Sequence, residues 1–430
     1  MAKIVSVKGR RVWDSRARPT VETEIALADG ATGRAIAPAG ASMGSGEAVD
    51  LRDGGTSQGG MDVTRAVANV AGPLAEALIG LDATDQAAVD RAIRACDNSQ
   101  RFERLGGNAA IATSMAVLHA AAASARAPLD EYLAAGGPVS IPVPEIQIFG
   151  GGAHAGRRVD IQDFLIVCPS ARNFAEALDR TADVYHAARK LLKDEGRLQG
   201  VADEGGFWPV FATNDEALEM LVRAIEAAGY TPGDEVHIAL DIAASDFGRN
   251  GRYKLGLENR ELDSDAMCDM LLGWLDRYPI LSIEDPLAED DHAGFMRFMA
   301  AAGDRVQVVG DDLLVTDPAR VATAARDKLV NCALIKPNQI GTVTETKAAL
   351  DAAKAGGISA IVSARSGETE DISIAPFAVG WNAGQFKVGS IARGERTAKW
   401  NEMLRIEERL GSRAPYAGWG AFPVKERSAR

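Results

Sequence analysis

The chain has 430 residues, 47% of them hydrophobic, and a formal net charge of −13. That apolar content excludes disorder, and that length predicts two or three domains. The negative balance excludes generic binding to nucleic acid or to an anionic membrane, although a local group of cations or a metal would reverse the field at one site.

The N-terminus, MAKIVSVKGR, has no signal-peptide core, and no uninterrupted membrane-length apolar span follows. A cytoplasmic protein without membrane partners is expected. The four cysteines, Cys96, Cys168, Cys268 and Cys332, are far apart and form no CxxC, as in reduced, mostly buried thiols. Residues Lys3 to Leu27 alternate as a β-meander, Ala28-Asp29-Gly30 is a turn, and Gly33 to Ala37 reads as the next strand. Ala39 to Glu47 is a loop of small residues, either a plain connector or a mobile lid. From Met61 to Ala127 the apolar spacing is helical. Val63, Val67 and Val70 mark one helix, Ala87 to Ile93 a second and Asn108 to Ala125 a third, in which Met115 and His119 read as filler. Ala134 to Pro138 is the linker candidate, so an α+β domain over 1–137 precedes a second domain over 138–430.

After the linker, VSIPVPEIQIF and DIQDFLIV read as strands. Between them the loop GGGAHAG holds His154, and Asp163 lies in the second stretch. Helices are predicted over Asn173 to Glu195 and Asn214 to Ala228, bracketing VADEGGFWP. From His237 onward short apolar runs end on or near charge: on Asp241, Glu284, Asp311, Lys336, Arg365 and Lys387. Helix-length segments separate them. Repeated βα units follow, and a parallel barrel places its catalytic groups at such strand ends. The closing residues, KERSAR, read as a frayed, charged end.

Asp241, Glu284 and Asp311 at successive strand ends would repel one another unless a cation sat among them, and hard oxygen ligands suit Mg²⁺. The plain alternative is that each caps the helix that follows. Lys336, between Ile335 and Pro337 and near a divalent cation, would have its ammonium disfavoured and be available as a general base. Glu204, in a turn with Gly205 and Gly206, could act from the opposite face as the acid, or be an ordinary acidic turn. This layout describes proton abstraction next to a carboxylate followed by loss of a leaving group. Arg365, Ser366 and Lys387 could hold a second anionic group such as a phosphoryl.

The chain resembles the enolase family over nearly its full length. The matching stretches include DSRARPTVE, GASMGSGEAVDLRDG, GGAHAG, ADEGGF, LDIAAS, SIEDPLAEDD, VGDDLLVTDP, LIKPNQIGTVTET, RSGETED and AKWNEMLRIEERLG. The resemblance implies an N-terminal α+β domain before a (β/α)8-type barrel with irregular first units. It also implies a small phospho-acid substrate, two Mg²⁺ ions per site, and a homodimer or homo-octamer. By motif, Asp241, Glu284 and Asp311 resemble the ligands of the first metal, and Ser42, in a closing loop, a ligand of the second. Lys336 resembles the base that takes the carbon-2 proton. Glu204 resembles the acid that helps the carbon-3 hydroxyl leave, and Asp163 stands at a catalytic acid. Lys387 resembles the carboxylate-side lysine, Arg365 and Ser366 the phosphate binders, and His154 the histidine of a second mobile loop.

The chain departs from the pattern in one pocket. It reads SARSGETED where the family reads SHRSGETED, so Ala364 replaces a histidine. It reads Gln162-Asp163-Phe164 for QEF, one methylene shorter at the acid. IQIFGGG stands for an MNIINGG-like stretch, Ala39 for serine, Met43 for threonine, and Ala17-Arg18 for Gly-Asn. The proton-abstraction half is kept and the substrate-fitting half has changed. Two enzymatic readings result: dehydration of 2-phosphoglycerate, or the same elimination on a related 2-phospho- or phosphonate-substituted glycerate in secondary metabolism. A non-catalytic binding protein is a third, against which the joint retention of the acids and lysines argues.

Overall fold

The computed structural model describes residues 2–425. The charged end expected at 425–430 therefore lies, beyond Lys425, outside the described residues.

The meander forms as its alternation dictates. β1 (Ile4–Trp13), β2 (Pro19–Leu27) and β3 (Thr32–Ile36) make an antiparallel sheet with β2 in the middle. Val7 pairs with Ile25 and Arg10 with Glu22. Beyond it, α1 (Thr64–Asn69) is shorter than the valine spacing predicts, because the chain widens into a π turn over Val70–Leu74 that contains Pro73. Proline has no N–H to donate and its ring crowds the preceding turn, so regular helix stops there. α2 spans Gln86–Cys96, and α3, Gly107–Ser124, is buried on nearly every face. Its alanines let β3 press close. A Cβ at Gly33 would fall 2.2 Å from both Ala116 O and Ala120 N. We expect Gly33→Ala to cost about 1–3 kcal/mol through overpacking, read as a lower melting temperature; an unchanged melting temperature would show that sheet and helix can part freely.

The second part is a closed barrel. Its strands are β4 (Val143–Gly150), β5 (Asp163–Val167), β6 (His237–Asp241), β7 (Ile280–Glu284), β8 (Gln307–Gly310), β9 (Cys332–Ile335), β10 (Ser359–Ser363) and β11 (Gly384–Ser390). They are hydrogen-bonded in that order, and β11 closes onto β4. Six of the eight junctions are parallel, as the βα rhythm predicts. The irregular start is real: β5 runs antiparallel to both β4 and β6. Two helices in succession, Phe174–Asp194 and Asn214–Ala227, then precede β6.

The reversal of β5 matters for function. Its first residue, Asp163, pairs with Asp241, the last residue of β6. An acid at the start of an antiparallel strand thus reaches the same rim as acids at the ends of parallel ones. Another segment, between those two helices, adds to that rim. Leu198–Val201 and Phe207–Pro209 form a hairpin beside β4, and Glu204 sits in its turn.

The barrel floor is polar where a barrel is usually packed with aliphatic residues. Gln307 and Gln385 exchange amide hydrogen bonds of 2.8 Å, and Gln307 also donates to Ser282. Fully buried Glu145 stands beside them, and burial pushes its carboxyl up to about 7. A carboxyl held up in the fold contributes stability below its unfolded value, and loses it as pH rises through the folded value. The melting temperature should therefore fall as pH rises from about 4.5 to about 7, and less so in Glu145→Gln; equal losses would mean that Glu145 does not titrate there.

Candidate active site

None of the three acids at successive strand ends caps a helix. The following helices Ser264–Arg277, His292–Ala302 and Pro318–Arg326 are capped by Asp263, Asp291 and Asp317 instead. Asp241, Glu284 and Asp311 are left facing the barrel mouth, each nearly enclosed. Asp241 and Glu284 are register neighbours on β6 and β7. Lys387 reaches both: its Nζ donates to Asp241 Oδ2 at 2.8 Å and Glu284 Oε2 at 2.7 Å, with Asp163 Oδ2 at 4.0 Å. Lys387 stands inside β11, not at its end, beside a register shift against β4.

Lys336, just past β9, donates to Asp311 Oδ2, and Gln339 Nε2 donates to Asp311 Oδ1 at 2.7 Å. Burial works against the Lys336 ammonium, but the Asp311 charge outweighs it and holds Lys336 above its ordinary value. Burial likewise opposes the Lys387 ammonium and is overcome by Asp241 and Glu284. In return, burial pushes Asp241 up while the Lys387 charge brings it below the usual range. Glu284 goes the other way: burial and then Asp241 hold its carboxyl well above normal.

Across the cavity stand His154, Asp163 and Glu204. His154 Nε2 lies 3.7 Å from Glu204 Oε1. Burial, then the Glu204 charge, pushes Asp163 up to about 7. Glu204 is pushed up by burial too, but His154 and Arg396 outweigh that and keep it below its ordinary value. The two acids thus separate, one holding its proton near neutrality and one giving it up. His154, Asp163, Glu204, Asp241, Asp311, Lys336 and Lys387, with Ser42, Ala364, Arg365 and Ser366, line one narrow cavity; Glu284 lies behind it, against Lys387. A wider cavity of about 680 Å³ opens elsewhere, among Arg157, Phe247, Arg249 and Tyr253, and contains none of the predicted site residues.

Arg365 is held by a residue that the pattern does not single out. Its guanidinium forks onto Glu47, with Nη1 to Oε2 at 2.8 Å and Nη2 to Oε1 at 3.1 Å. It also donates to Asn338 Oδ1 and to the Ser42 carbonyl. Ser366 Oγ accepts from the Ala41 amide. The small-residue loop therefore packs onto the barrel mouth and is more than a connector. Ser42 does not point at the acids: its hydroxyl donates to Asp246 Oδ1 at 3.3 Å. A loop acid such as Glu47 carries no local signal, since its partner lies 318 residues away.

The donors fit a hard cation. Asp241, Glu284 and Asp311 offer only carboxylate oxygens, and Glu284 Oε1 is buried without a hydrogen-bond partner. The tightest clusters of possible ligand atoms among the described residues are nevertheless His154–Asp163–Glu204 and Asp285–Asp311–Asp312. Asp285 is already engaged, because its two oxygens accept the amides of Asp311 and Asp312. Lysine ammonium groups stand among the three predicted ligands.

A closed barrel with a buried set of acids and lysines at its mouth has the layout of a barrel enzyme with its site at the strand ends. Comparison with known proteins supplies the family. A model described as the C-terminal TIM barrel domain of enolase matches residues 138–424, and one for the enolase N-terminal domain matches 4–133. The enolase of Rubrobacter xylanophilus is 49% identical over 428 residues, covering 99% of this chain and 100% of that protein. Enolase 1 of Desulfitobacterium hafniense is 48% identical over 423 residues, 98% of this chain and 97% of the relative. The chain belongs to the enolase family and is a hydro-lyase. Among the described residues no helix is long and apolar enough to cross a membrane.

Proposed function

We propose that the protein dehydrates 2-phosphoglycerate to phosphoenolpyruvate with Mg²⁺, as a glycolytic enzyme. The observation that carries this reading is one cavity lined on one side by Lys336 and on the other by Asp163, Glu204 and His154. Lys336, in its neutral amine form, takes the proton from carbon 2, and the C–H electron pair becomes the new double bond. The Glu204–Asp163 pair, which keeps a proton on Asp163 near neutrality, passes that proton to the carbon-3 hydroxyl, which departs as water. Lys387 faces the substrate carboxylate, and Arg365 and Ser366 hold the phosphoryl group. Asp241, Glu284 and Asp311 would hold one Mg²⁺ and Ser42 would contribute to a second. When bound, these ions supply positive charge where the substrate carboxylate gains negative charge.

The same reading places the protein in the cytoplasm as a homodimer or homo-octamer. It treats residues 1–137 as a capping domain on the catalytic domain over 138–430. No nucleic acid or membrane partner enters it.

A second reading rests on Ala364, which lines the cavity with a methyl group where the family pattern has an imidazole. That gap, with the shortened Asp163, would admit a related 2-phospho- or phosphonate-substituted glycerate. The deciding assay is phosphoenolpyruvate formation from 2-phosphoglycerate. A turnover on the order of 10 per second or more supports the glycolytic reading. A rate several decades lower, with Mg²⁺ bound, supports the second. Ala364→His should raise activity on 2-phosphoglycerate if the pocket has merely lost a side chain. No change or a loss would mean that its other walls have been rebuilt too.

A further inference from the structure

Gln147 lies in the middle of β4, fully enclosed, and both ends of its amide are used. Its Nε2 donates to Asp163 Oδ1 on β5. Its Oε1 accepts the Gly206 amide at 2.8 Å, in the turn that carries Glu204. The backbone donor fixes the amide the right way round: with oxygen facing Gly206, the NH₂ must face Asp163. The fit is close, since a Cβ on Gly206 would fall 2.5 Å from Gln147 Oε1. One side chain thus ties together the two acids on the far wall of the cavity.

The lengths of the two side chains are matched. Set beside MNIINGG, the stretch IQIFGGG places Gln147 at the asparagine, one methylene longer. Asp163 is one methylene shorter than the glutamate of QEF. The two changes compensate across a single hydrogen bond. Asparagine opposite Asp163 would open a gap of about 1.5 Å, one C–C bond, which is enough to break the hydrogen bond. We infer that Gln147 is a positioning residue matched to Asp163, holding that carboxyl in register with the Glu204 turn. The inference rests on the proposed dehydration, through which it is read.

The test is a double-mutant cycle on the full chain with 2-phosphoglycerate and Mg²⁺. Gln147→Asn and Asp163→Glu should each lower kcat by about 10–100-fold, with KM moving less than about threefold. The double variant should return to within about threefold of the wild-type kcat. A double loss equal to the product of the single losses, or larger, overturns the inference. So does coupling that shows in melting temperature and not in kcat, which would make Gln147 structural only. If the wild type itself fails on 2-phosphoglycerate, the proposed substrate falls, and crystal structures of the four proteins decide. A hydrogen bond between residues 147 and 163 that is broken in each single variant and restored in the double carries the inference. The same bond intact in the single variants overturns it.

Discussion

Replacing Lys336 by alanine should lower turnover on the true substrate by about 10⁴-fold. Lys336 sits at the end of β9, its ammonium against Asp311, on the wall opposite Glu204 and Asp163. Lys387 is the other lysine lining the cavity, and it is engaged by both Asp241 and Glu284. The backbone at this point is fixed independently of the side chain, because the Lys336 amide donates to Thr316 Oγ1 at 2.9 Å. The circular dichroism of the variant and its Mg²⁺ binding by calorimetry should therefore survive. A variant keeping a tenth of the activity would remove Lys336 from the role of base.

Stripping divalent cations should be as severe. With chelator, turnover should stop, and Mg²⁺ should restore it. The physical ground is the buried carboxylate set, in which Glu284 is held well above its usual range and one of its oxygens has no partner. A cation that binds only the folded chain stabilises it, by about 2.7 kcal/mol at one hundred times its dissociation constant. The melting temperature should therefore rise with Mg²⁺, and rise less in Glu284→Gln. Full turnover after exhaustive chelation would defeat the metal assignment, whatever the melting temperature does.

Much of this site can be read from the chain alone, and the reason is periodicity. Asp241, Glu284, Asp311 and Lys336 each end a short apolar run, and in a parallel barrel that position decides where the side chain goes. Asp163 obeys no such rule. It begins its strand, and only the reversal of β5 brings it to the rim. Lys387 lies within a strand, next to an irregularity that local sequence does not announce. The π turn at Pro73 breaks a helix that valine spacing predicts as continuous. Glu47 and Gln147 escape sequence reasoning for a different reason. Their roles lie in their partners, and those partners are assembled by tertiary packing.

The fork between Glu47 and Arg365 has a further consequence, in the order of events during synthesis. Glu47 is made early and its guanidinium partner comes 318 residues later. At about 5–20 residues per second the acid waits on the order of 15 to 60 s for it. The meander can pair its strands meanwhile, since those pairings are local, but its loop has nothing to grip. This corner of the barrel mouth therefore comes into being at the close of translation. A chain halted before β10 would carry Glu47 without its guanidinium partner.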